Sequence, residues 1–384
     1  MSNQERRTFL KCAAPRKTMT KVVVAMSGGV DSSVTAALLK AQGYEVIGMM
    51  MRLWSEPGSE AENRCCTIDA MNLARRMAAQ LDIPFYAVDA KDVFRSTVVQ
   101  YFIDGYAEGI TPNPCLLCNR RIRWEFLLQH ALALGAEFMA TGHYARLRTR
   151  DGEPATEAGL PSSVIGRIEL LKAIDTHKDQ SYVLHVLQQD QLNHALFPLG
   201  EYTKPEVRQM AREFGLPVAE RADSQDLCFL GNGTYSDFLI RNIPDIAQSG
   251  PILNTADEEL GRHNGLAFYT IGQRRGLGIA APQPLYVVRK DIAHNALIVG
   301  KLEELGQNEL HAHSVNWVAG APPAGPIRAE IKIRYKARSA WGTVTPLKDG
   351  RAHIQFDENL RDITPGQAAV FYDGEICLGG GIIE

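Results

Sequence analysis

The stretch Lys21-Val22-Val23-Val24-Ala25-Met26-Ser27-Gly28-Gly29-Val30-Asp31-Ser32-Ser33 decides the fold of this chain. Its first half is a β-branched run that predicts a buried strand, and the apolar spacing after it predicts a helix over 32–42. Gly28 and Gly29 lie between the two elements, where backbone N–H groups can converge on an anion at the helix N-terminus. A Ser-Gly turn that only caps the helix is the alternative. The Walker pattern is absent, which disfavours an NTPase that cleaves the γ-phosphate.

The same alternation of strand and helix continues through the first half of the chain. Strands are predicted at 45–51, 84–88, 137–141 and 170–174, and helices at 67–81, 91–102, 120–134, 180–187 and 204–214. Strands that alternate with helices indicate an α/β domain with a doubly wound parallel sheet. Ligands of such sheets bind beyond the carboxyl ends of the strands.

The second half has a different pattern, with apolar residues at every other position from about Pro284 and turn signals at Asp349-Gly350 and Asp373-Gly374. It predicts an antiparallel β-barrel. The predicted organisation is a disordered extension at 1–18, a catalytic domain at 19–222 with a Gly- and Pro-rich excursion at 151–167, a small central linking domain at 223–288 and the barrel at 289–384.

Composition limits the class of protein. The chain has 384 residues, a formal net charge of −3 and seven cysteines, too few for a secreted disulfide scaffold. Arg6-Arg7 resembles an export signal, but no apolar stretch follows it, and no window is apolar enough for a membrane span. We therefore expect a cytoplasmic protein that does not enter a membrane.

Two cysteines lie in settings that favour chemistry. Cys118 follows a proline-stiffened approach and precedes the helix that is predicted to begin near Arg120, and a helix N-terminus with basic neighbours favours thiolate over thiol. Cys228 lies in a polar stretch that is predicted to be a loop at the domain junction. Both are candidate nucleophiles.

The phosphate loop resembles that of the N-type ATP pyrophosphatases, which cleave ATP to AMP and pyrophosphate. Together with four further segments, it is similar to the tRNA-specific 2-thiouridylase family over about 19–384. Those segments are Thr111–Asn119, Lys178–Tyr182, Asp223–Phe229 and Thr270–Gly278, and the pair Arg334-Tyr335 adds to them. The resemblance implies an ATP pyrophosphatase domain, a tRNA substrate, and ATP with Mg²⁺ as cofactors.

By this resemblance, one set of residues binds the nucleotide, and Asp31 also helps to hold Mg²⁺. Met51 and Gly142 flank the adenosine, although a methionine in such a position is more often core than ligand. The set comprises Ala25, Met26, Ser27, Gly28, Gly29, Val30, Asp31, Ser32, Met51 and Gly142.

The resemblance also implies a sulfur-transfer mechanism. ATP adenylates O2 of the wobble uridine, and a persulfide from an upstream donor protein of a sulfur relay is loaded on Cys228. Its terminal sulfur attacks C2 and AMP leaves, while Cys118 attacks Cys228 so that sulfide or a transient disulfide forms.

Several alternatives remain open. Cys115, Cys118 and Cys228 are also candidate ligands of an iron–sulfur cluster, because thiolates are its preferred ligands. Zinc is less favoured, since no second Cys or His pair lies at finger spacing. One alternative function is the adenylation of a small acid, but it would leave both cysteines without a role. Another is that of a tRNA-binding sulfur carrier that does not use ATP, but it would leave the phosphate loop without a role.

The resemblance implies a monomeric enzyme that binds tRNA through three groups of residues. Asn113, Pro114 and Cys115 line the flipped uridine, because a base must leave the stack before chemistry reaches C2. The segment 119–124 combines three arginines with Trp124 and suits phosphates and an unstacked base, with a solvated helix face as the alternative. The residues implied to contact the anticodon arm are Lys178, Asp179, Gln180, Arg334 and Tyr335.

Overall fold

The computed structural model describes residues 19–56, 67–150, 168–221, 227–230 and 233–384. The predicted extension at 1–18, the excursion at 151–167 and residues 223–226 beside Cys228 lie outside these ranges. No helix in the described part of the chain has the length and apolar character of a membrane span.

A five-stranded parallel sheet with the order β3-β2-β1-β4-β7 forms the N-terminal domain. Its strands are β1 (Lys21–Ala25), β2 (Glu45–Arg52), β3 (Phe85–Asp89), β4 (Phe138–Ala140) and β7 (Ala195–Leu196). Its helices lie at Val30–Ala41, Ile68–Gln80, 91–107, 114–133, Ser181–Leu184, Gln189–Leu192 and Lys204–Glu213. Since β1 lies between β2 and β4, the loop after β1 opens where the strand order reverses, which is the ligand-binding crevice of such sheets.

Both faces of this sheet are covered by apolar packing. Val23 packs in a cluster with Trp124 and Leu127 of the 114–133 helix. Val22 and Val24 face the opposite cluster, to which the 30–41 and 204–213 helices contribute. Alternate residues of one strand are thus buried on opposite faces, which confirms the predicted doubly wound architecture.

The C-terminal region is a closed six-stranded antiparallel barrel with the order β12-β15-β14-β13-β16-β17, closed by the pairing of β12 with β17. The strands are β12 (Gln307–Trp317), β13 (Ile327–Lys332), β14 (Ala340–Pro346), β15 (Ala352–Leu360), β16 (Ala368–Asp373) and β17 (Ile376–Ile383). Asp349 and Gly350 have φ of 63° and 69° in the connection between β14 and β15, as a tight hairpin turn requires. The predicted barrel is confirmed.

A four-stranded sheet with the order β10-β11-β8-β9 lies between the two, after a helix at Tyr235–Asn242. Its strands are β8 (Gly250–Leu253), β9 (Glu259–His263), β10 (Tyr286–Asp291) and β11 (Ala296–Gly300). Residues 289–300, which the periodicity grouped with the barrel, therefore pair in the central sheet. Short 3₁₀ turns lie at Pro198–Glu201, Leu266–Phe268, Leu302–Glu304 and Lys348–Gly350.

The strand predicted at 170–174 was misplaced. The structure forms β5 (Arg146–Thr149) and β6 (Ile168–Leu171), which pair as an antiparallel hairpin, and β6 adds to the barrel strand β17. A hairpin of the N-terminal domain thus extends the barrel sheet. This pairing is long-range, so no local pattern in the sequence indicates it.

Candidate active site

The phosphate loop has a defined conformation at the end of β1. Gly28 has φ of +69°, and a Cβ there would lie 2.6 Å from the Ala70 carbonyl oxygen, so only glycine fits. The Ser27 N–H donates to Ser32 Oγ at 3.1 Å, and Arg221 Nη1 donates to the Gly28 carbonyl at 2.8 Å. The loop is therefore held on both sides in a conformation that opens onto the N-terminus of the 30–41 helix.

The predicted nucleotide residues gather at this edge of the sheet. Ala25 ends β1 and Met26 follows it, Met51 lies near the end of β2, and Gly142 follows β4. A Cβ on Gly142 would lie 2.9 Å from backbone atoms of Asp31 and Ser32, so the turn after β4 packs directly on the loop. The parallel topology thus brings together residues that are far apart in sequence.

Asp31 is the centre of a polar cluster that the sequence did not reveal. Lys204 Nζ lies 2.7 and 2.8 Å from its two carboxylate oxygens, and Tyr144 Oη donates to Oδ1 at 2.9 Å. Lys204 begins the 204–213 helix, where Thr203 and Glu206 form a capping box. The capping pattern was readable from sequence, but the long-range pairing was not.

The two candidate nucleophiles share one apolar environment, which we name the phenylalanine cluster. Its buried residues are Leu53, Ala90, Phe94, Val98, Val99, Phe102, Ile103, Ile122, Phe229, Phe238, Leu239 and Ala267. Half-buried Cys118 and Cys228 both pack against it, and so does Met51 from the nucleotide edge. The Phe229 ring lies 5.2 Å from that of Phe102 and 5.5 Å from that of Phe238, in edge-on geometry. The neighbour of Cys228 in the chain is thus anchored in the core.

The predicted start of the cysteine helix was wrong. The helix begins at Pro114, with the Asn113 side chain accepting from the Cys115 N–H at 3.2 Å. Cys118 therefore lies in the second turn, and exposed Cys115 occupies the first. The favourable field of a helix N-terminus acts mainly on Cys115. An Asn before a Pro is a helix-start signal, so the sequence contained the correct boundary.

A buried histidine connects the cysteine helix to the nucleotide edge. Arg123 Nη1 donates to His143 Nε2 at 2.9 Å, and His143 Nδ1 lies 2.7 Å from Thr141 Oγ1. Burial and the Arg123 charge lower the pKa of His143 well below its usual range. Since arginine can only donate, the neutral ring accepts at Nε2 and donates from Nδ1. No local pattern in the sequence indicates this link.

The segment predicted to stack on RNA is only partly exposed. Trp124 is buried in the core and Asn119 is buried as well, so the expectation of an aromatic platform there was wrong. Arg121 Nη1 pairs with Glu125 at 2.8 Å on the exposed face. The helical period places the tryptophan on the sheet side and Arg121 on the solvent side.

Residues predicted to contact the anticodon arm make internal contacts in this structure. The buried Asp179 carboxylate accepts from the N–H groups of Ala173 and Ser181, each at 3.1 Å. Gln180 Oε1 accepts from the Tyr144 N–H at 2.9 Å. Half-buried Lys178 lies in the same turn. These groups fix the turn that precedes the 181–184 helix and join it to the nucleotide edge.

Arg334 and Tyr335 follow β13 instead of lying within it. Arg334 Nη2 donates to the Ile271 carbonyl at 3.1 Å and contacts Thr364 Oγ1. The Tyr335 ring lies 6.0 Å from that of Tyr182. Arg334 thus joins the barrel to the Thr270–Gly278 motif of the central region.

Three models of protein families match successive parts of the chain. They are described as the tRNA methyl transferase HUP domain at residues 20–232, the tRNA methyl transferase PRC-barrel domain at 236–301 and the aminomethyltransferase beta-barrel domain at 307–383. The tRNA-specific 2-thiouridylase MnmA of Moorella thermoacetica is 49% identical over 94% of this chain and 99% of the relative. The chain belongs to the tRNA-specific 2-thiouridylase family.

A second relative gives the same result. The protein of that name from Roseiflexus castenholzii is 47% identical over 95% of this chain and 99% of its own length. The predicted family is confirmed. The descriptions of all three matched models refer to methyl or aminomethyl transfer, but the relatives that match nearly the whole chain are named thiouridylases.

Proposed function

We propose that this chain is an ATP-dependent tRNA-uridine 2-sulfurtransferase, in line with the family to which it belongs. The main support for the proposal is the position of Met51, which belongs both to the nucleotide edge and to the surroundings of the phenylalanine cluster. It lies near the end of β2 at the nucleotide edge and packs against the phenylalanine cluster, against which Cys118 and Cys228 also pack. Nucleotide activation and sulfur transfer can therefore act on one bound base.

In the first step, the wobble-uridine O2 attacks the α-phosphorus of ATP and pyrophosphate leaves. Our assignment of pyrophosphate to the 27–32 loop is supported by its glycine conformation and by the helix N-terminus. The carboxylate of Asp31 suits Mg²⁺, which usually binds through one or two carboxylates and the nucleotide phosphates. Neutral His143 and Arg123 hold the turn containing Gly142 in place.

In the second step, the terminal sulfur of a Cys228 persulfide attacks C2 and AMP leaves. Cys118 then attacks the Cys228 sulfur, a Cys118–Cys228 disulfide forms, and the transferred sulfur stays on C2. A dithiol reductant must restore the two thiols, and an upstream sulfur-relay protein must reload Cys228. Packing of both cysteines on the phenylalanine cluster supports this pairing.

We favour the persulfide route over an iron–sulfur cluster. Within the described ranges, no group of three or more His, Cys, Asp or Glu side chains is arranged to hold a metal ion. Cys115 is exposed, whereas Cys118 and Cys228 are half-buried beside the phenylalanine cluster. We therefore assign Cys115, with Asn113 and Pro114, to the uridine pocket and route no step through a cluster.

We further propose that catalysis belongs to residues 19–222, that 223–288 and the strands up to 300 link the domains, and that the barrel helps to hold tRNA. A monomer acting on tRNA in the cytoplasm is the simplest form of this proposal. Of the residues implied to contact the anticodon arm, Asp179 is buried, and the other four are half-buried and partly accessible.

The test is a reaction with unmodified tRNA, ATP and a persulfide donor, in which AMP and 2-thiouridine are measured separately. Cys228→Ser should abolish 2-thiouridine while AMP release persists, and Asp31→Ala should abolish both. Cys377→Ala is the matched control, because Cys377 is buried in the barrel strand β17 and burial raises the pKa of its thiol. We therefore expect this thiol to take no part in sulfur transfer. Thiolation by Cys228→Ser would contradict the sulfur assignment, and thiolation without AMP release would favour a sulfur carrier that does not use ATP.

A further inference from the structure

Lys204 occupies a position in the nucleotide site for which neither the motifs nor the family match assigns a role. Its side chain is only 10% exposed, and its Nζ lies within 2.8 Å of both oxygens of Asp31, which is 33% exposed. The Lys204 N–H donates to Asp175 Oδ2 at 2.9 Å, which fixes the start of its helix. The ammonium group is therefore held at the phosphate loop by both its backbone and its side chain.

The negative charge of Asp31 explains why its pairing with Lys204 matters for phosphate binding. Asp31 lies in the first turn of the helix whose N-terminus faces the loop, so its carboxylate would repel an incoming phosphate. Lys204 neutralises the carboxylate in the structure. A nucleotide that arrives with a metal ion brings a cation for the carboxylate and phosphate oxygens for the ammonium, so both charges find new partners.

We propose that Lys204 is a phosphate-binding residue of the nucleotide site, which is held against Asp31 until ATP enters and then pairs with the pyrophosphate moiety. The inference rests on the ATP site of the proposed function and adds a residue to it. The rival explanation is that Lys204 only keeps Asp31 neutral and the fold intact.

A double-mutant cycle separates these explanations. The probe is an ATP analogue with a methylene group between the α and β phosphates, which binds but is not cleaved, and its affinity is measured by calorimetry with Mg²⁺. Lys204→Met should weaken binding about 10- to 100-fold, the range expected for a lost charge-assisted contact. The same factor should appear when Lys204→Met is added to Asp31→Asn.

If Lys204→Met has no effect in the Asp31→Asn background, the lysine only neutralises Asp31 and the proposal is overturned. The double variant also removes both charges of the pair, so it remains informative if Lys204→Met alone fails to fold. Lys204→Arg keeps the charge and should retain affinity within about fivefold, since arginine also pairs with phosphate oxygens.

AMP is the second probe, because it lacks the β and γ phosphates. Its affinity should change less than about threefold in Lys204→Met, whereas equal losses for AMP and the analogue would contradict a pyrophosphate contact. If the unaltered protein binds neither probe, the ATP site of the proposed function fails. If it binds both and Lys204→Met binds both normally, only the role of Lys204 fails.

Discussion

The phosphate loop and the phenylalanine cluster are built in opposite ways. The loop consists of consecutive residues after β1, and polar contacts such as Ser27 to Ser32 and Arg221 to Gly28 hold it. The cluster joins the 91–107, 114–133 and 235–242 helices with the short segment around Phe229, and apolar packing holds it. The nucleotide half therefore depends on the backbone geometry of one loop and on the polar contacts made to it, whereas the sulfur half depends on apolar packing among several elements.

This difference means that the two halves should fail separately. A change that strains the loop should stop adenylation while the fold survives. A change that loosens the cluster should reduce sulfur transfer while nucleotide binding persists. Substitutions in each half can therefore test whether adenylation and sulfur transfer are separable.

Gly28→Ala should have the largest effect on the first chemical step, adenylation. The new Cβ would lie 2.6 Å from the Ala70 carbonyl oxygen at φ of +69°, so the loop must shift. We expect adenylation, measured as AMP release, to fall about 100-fold or more, equivalent to about 2.7 kcal/mol of lost transition-state stabilisation. Gly43→Ala is the matched control, because Gly43 has φ of +86° but no atom within 4 Å of the new Cβ. Equal losses in both variants would show that backbone strain alone is responsible.

Phe229→Ala should disrupt the phenylalanine cluster and thereby sulfur transfer. Phe229 is buried and packs edge-on against Phe94 and Phe102, so the cavity should cost about 3–5 kcal/mol in the free energy of unfolding. In urea titrations both this variant and Phe356→Ala, which opens the barrel core, should be destabilised. Only Phe229→Ala should lose 2-thiouridine formation while AMP release remains. A similar loss in Phe356→Ala would mean that general instability explains the effect.

The folded state should lose stability in acid because of His185. Burial lowers the pKa of His185 to about 4, and its Nδ1–H donates to the Tyr182 carbonyl at 2.7 Å. Between pH 6.5 and 4 the unfolded chain binds a proton that the folded chain does not, so stability is present above pH 6.5 and is lost as the pH falls. The loss should reach about 3 kcal/mol.

The measurement is the urea midpoint from pH 7 to 4.5, compared between the unaltered protein and His185→Gln. The variant should show a shallower decline, because the titrating group is gone. Identical slopes would show that another group, such as buried His143, dominates the acid response of the fold.

The same contrast explains what the sequence could reveal. The loop and its flanking strand and helix were predictable because their signals are contiguous. The pairing of Lys204 with Asp31 was not, since it joins elements that only the folded sheet brings together. The barrel strands followed from their period of two, whereas the addition of β6 to β17 depends on the docking of two domains.

Trp124 shows a different limit. Its arginine neighbours indicated an RNA surface, but the helical period turns the indole into the core. The helix start, which the prediction placed near Arg120 and the structure places at Pro114, decides instead which cysteine lies in the first turn.

The smallest predicted effect tests that boundary. Asn113→Ala removes the side chain that accepts from the Cys115 N–H at 3.2 Å, so unfolding should become easier by about 1 kcal/mol in urea. Asn113→Asp keeps the acceptor at the helix N-terminus and should retain stability. If Asn113 only caps the helix, Asn113→Asp should also retain thiolation. Because aspartate lacks the amide donor, a stable variant that loses thiolation would instead show that this residue contacts the uridine, and an unchanged urea midpoint in Asn113→Ala would contradict the cap.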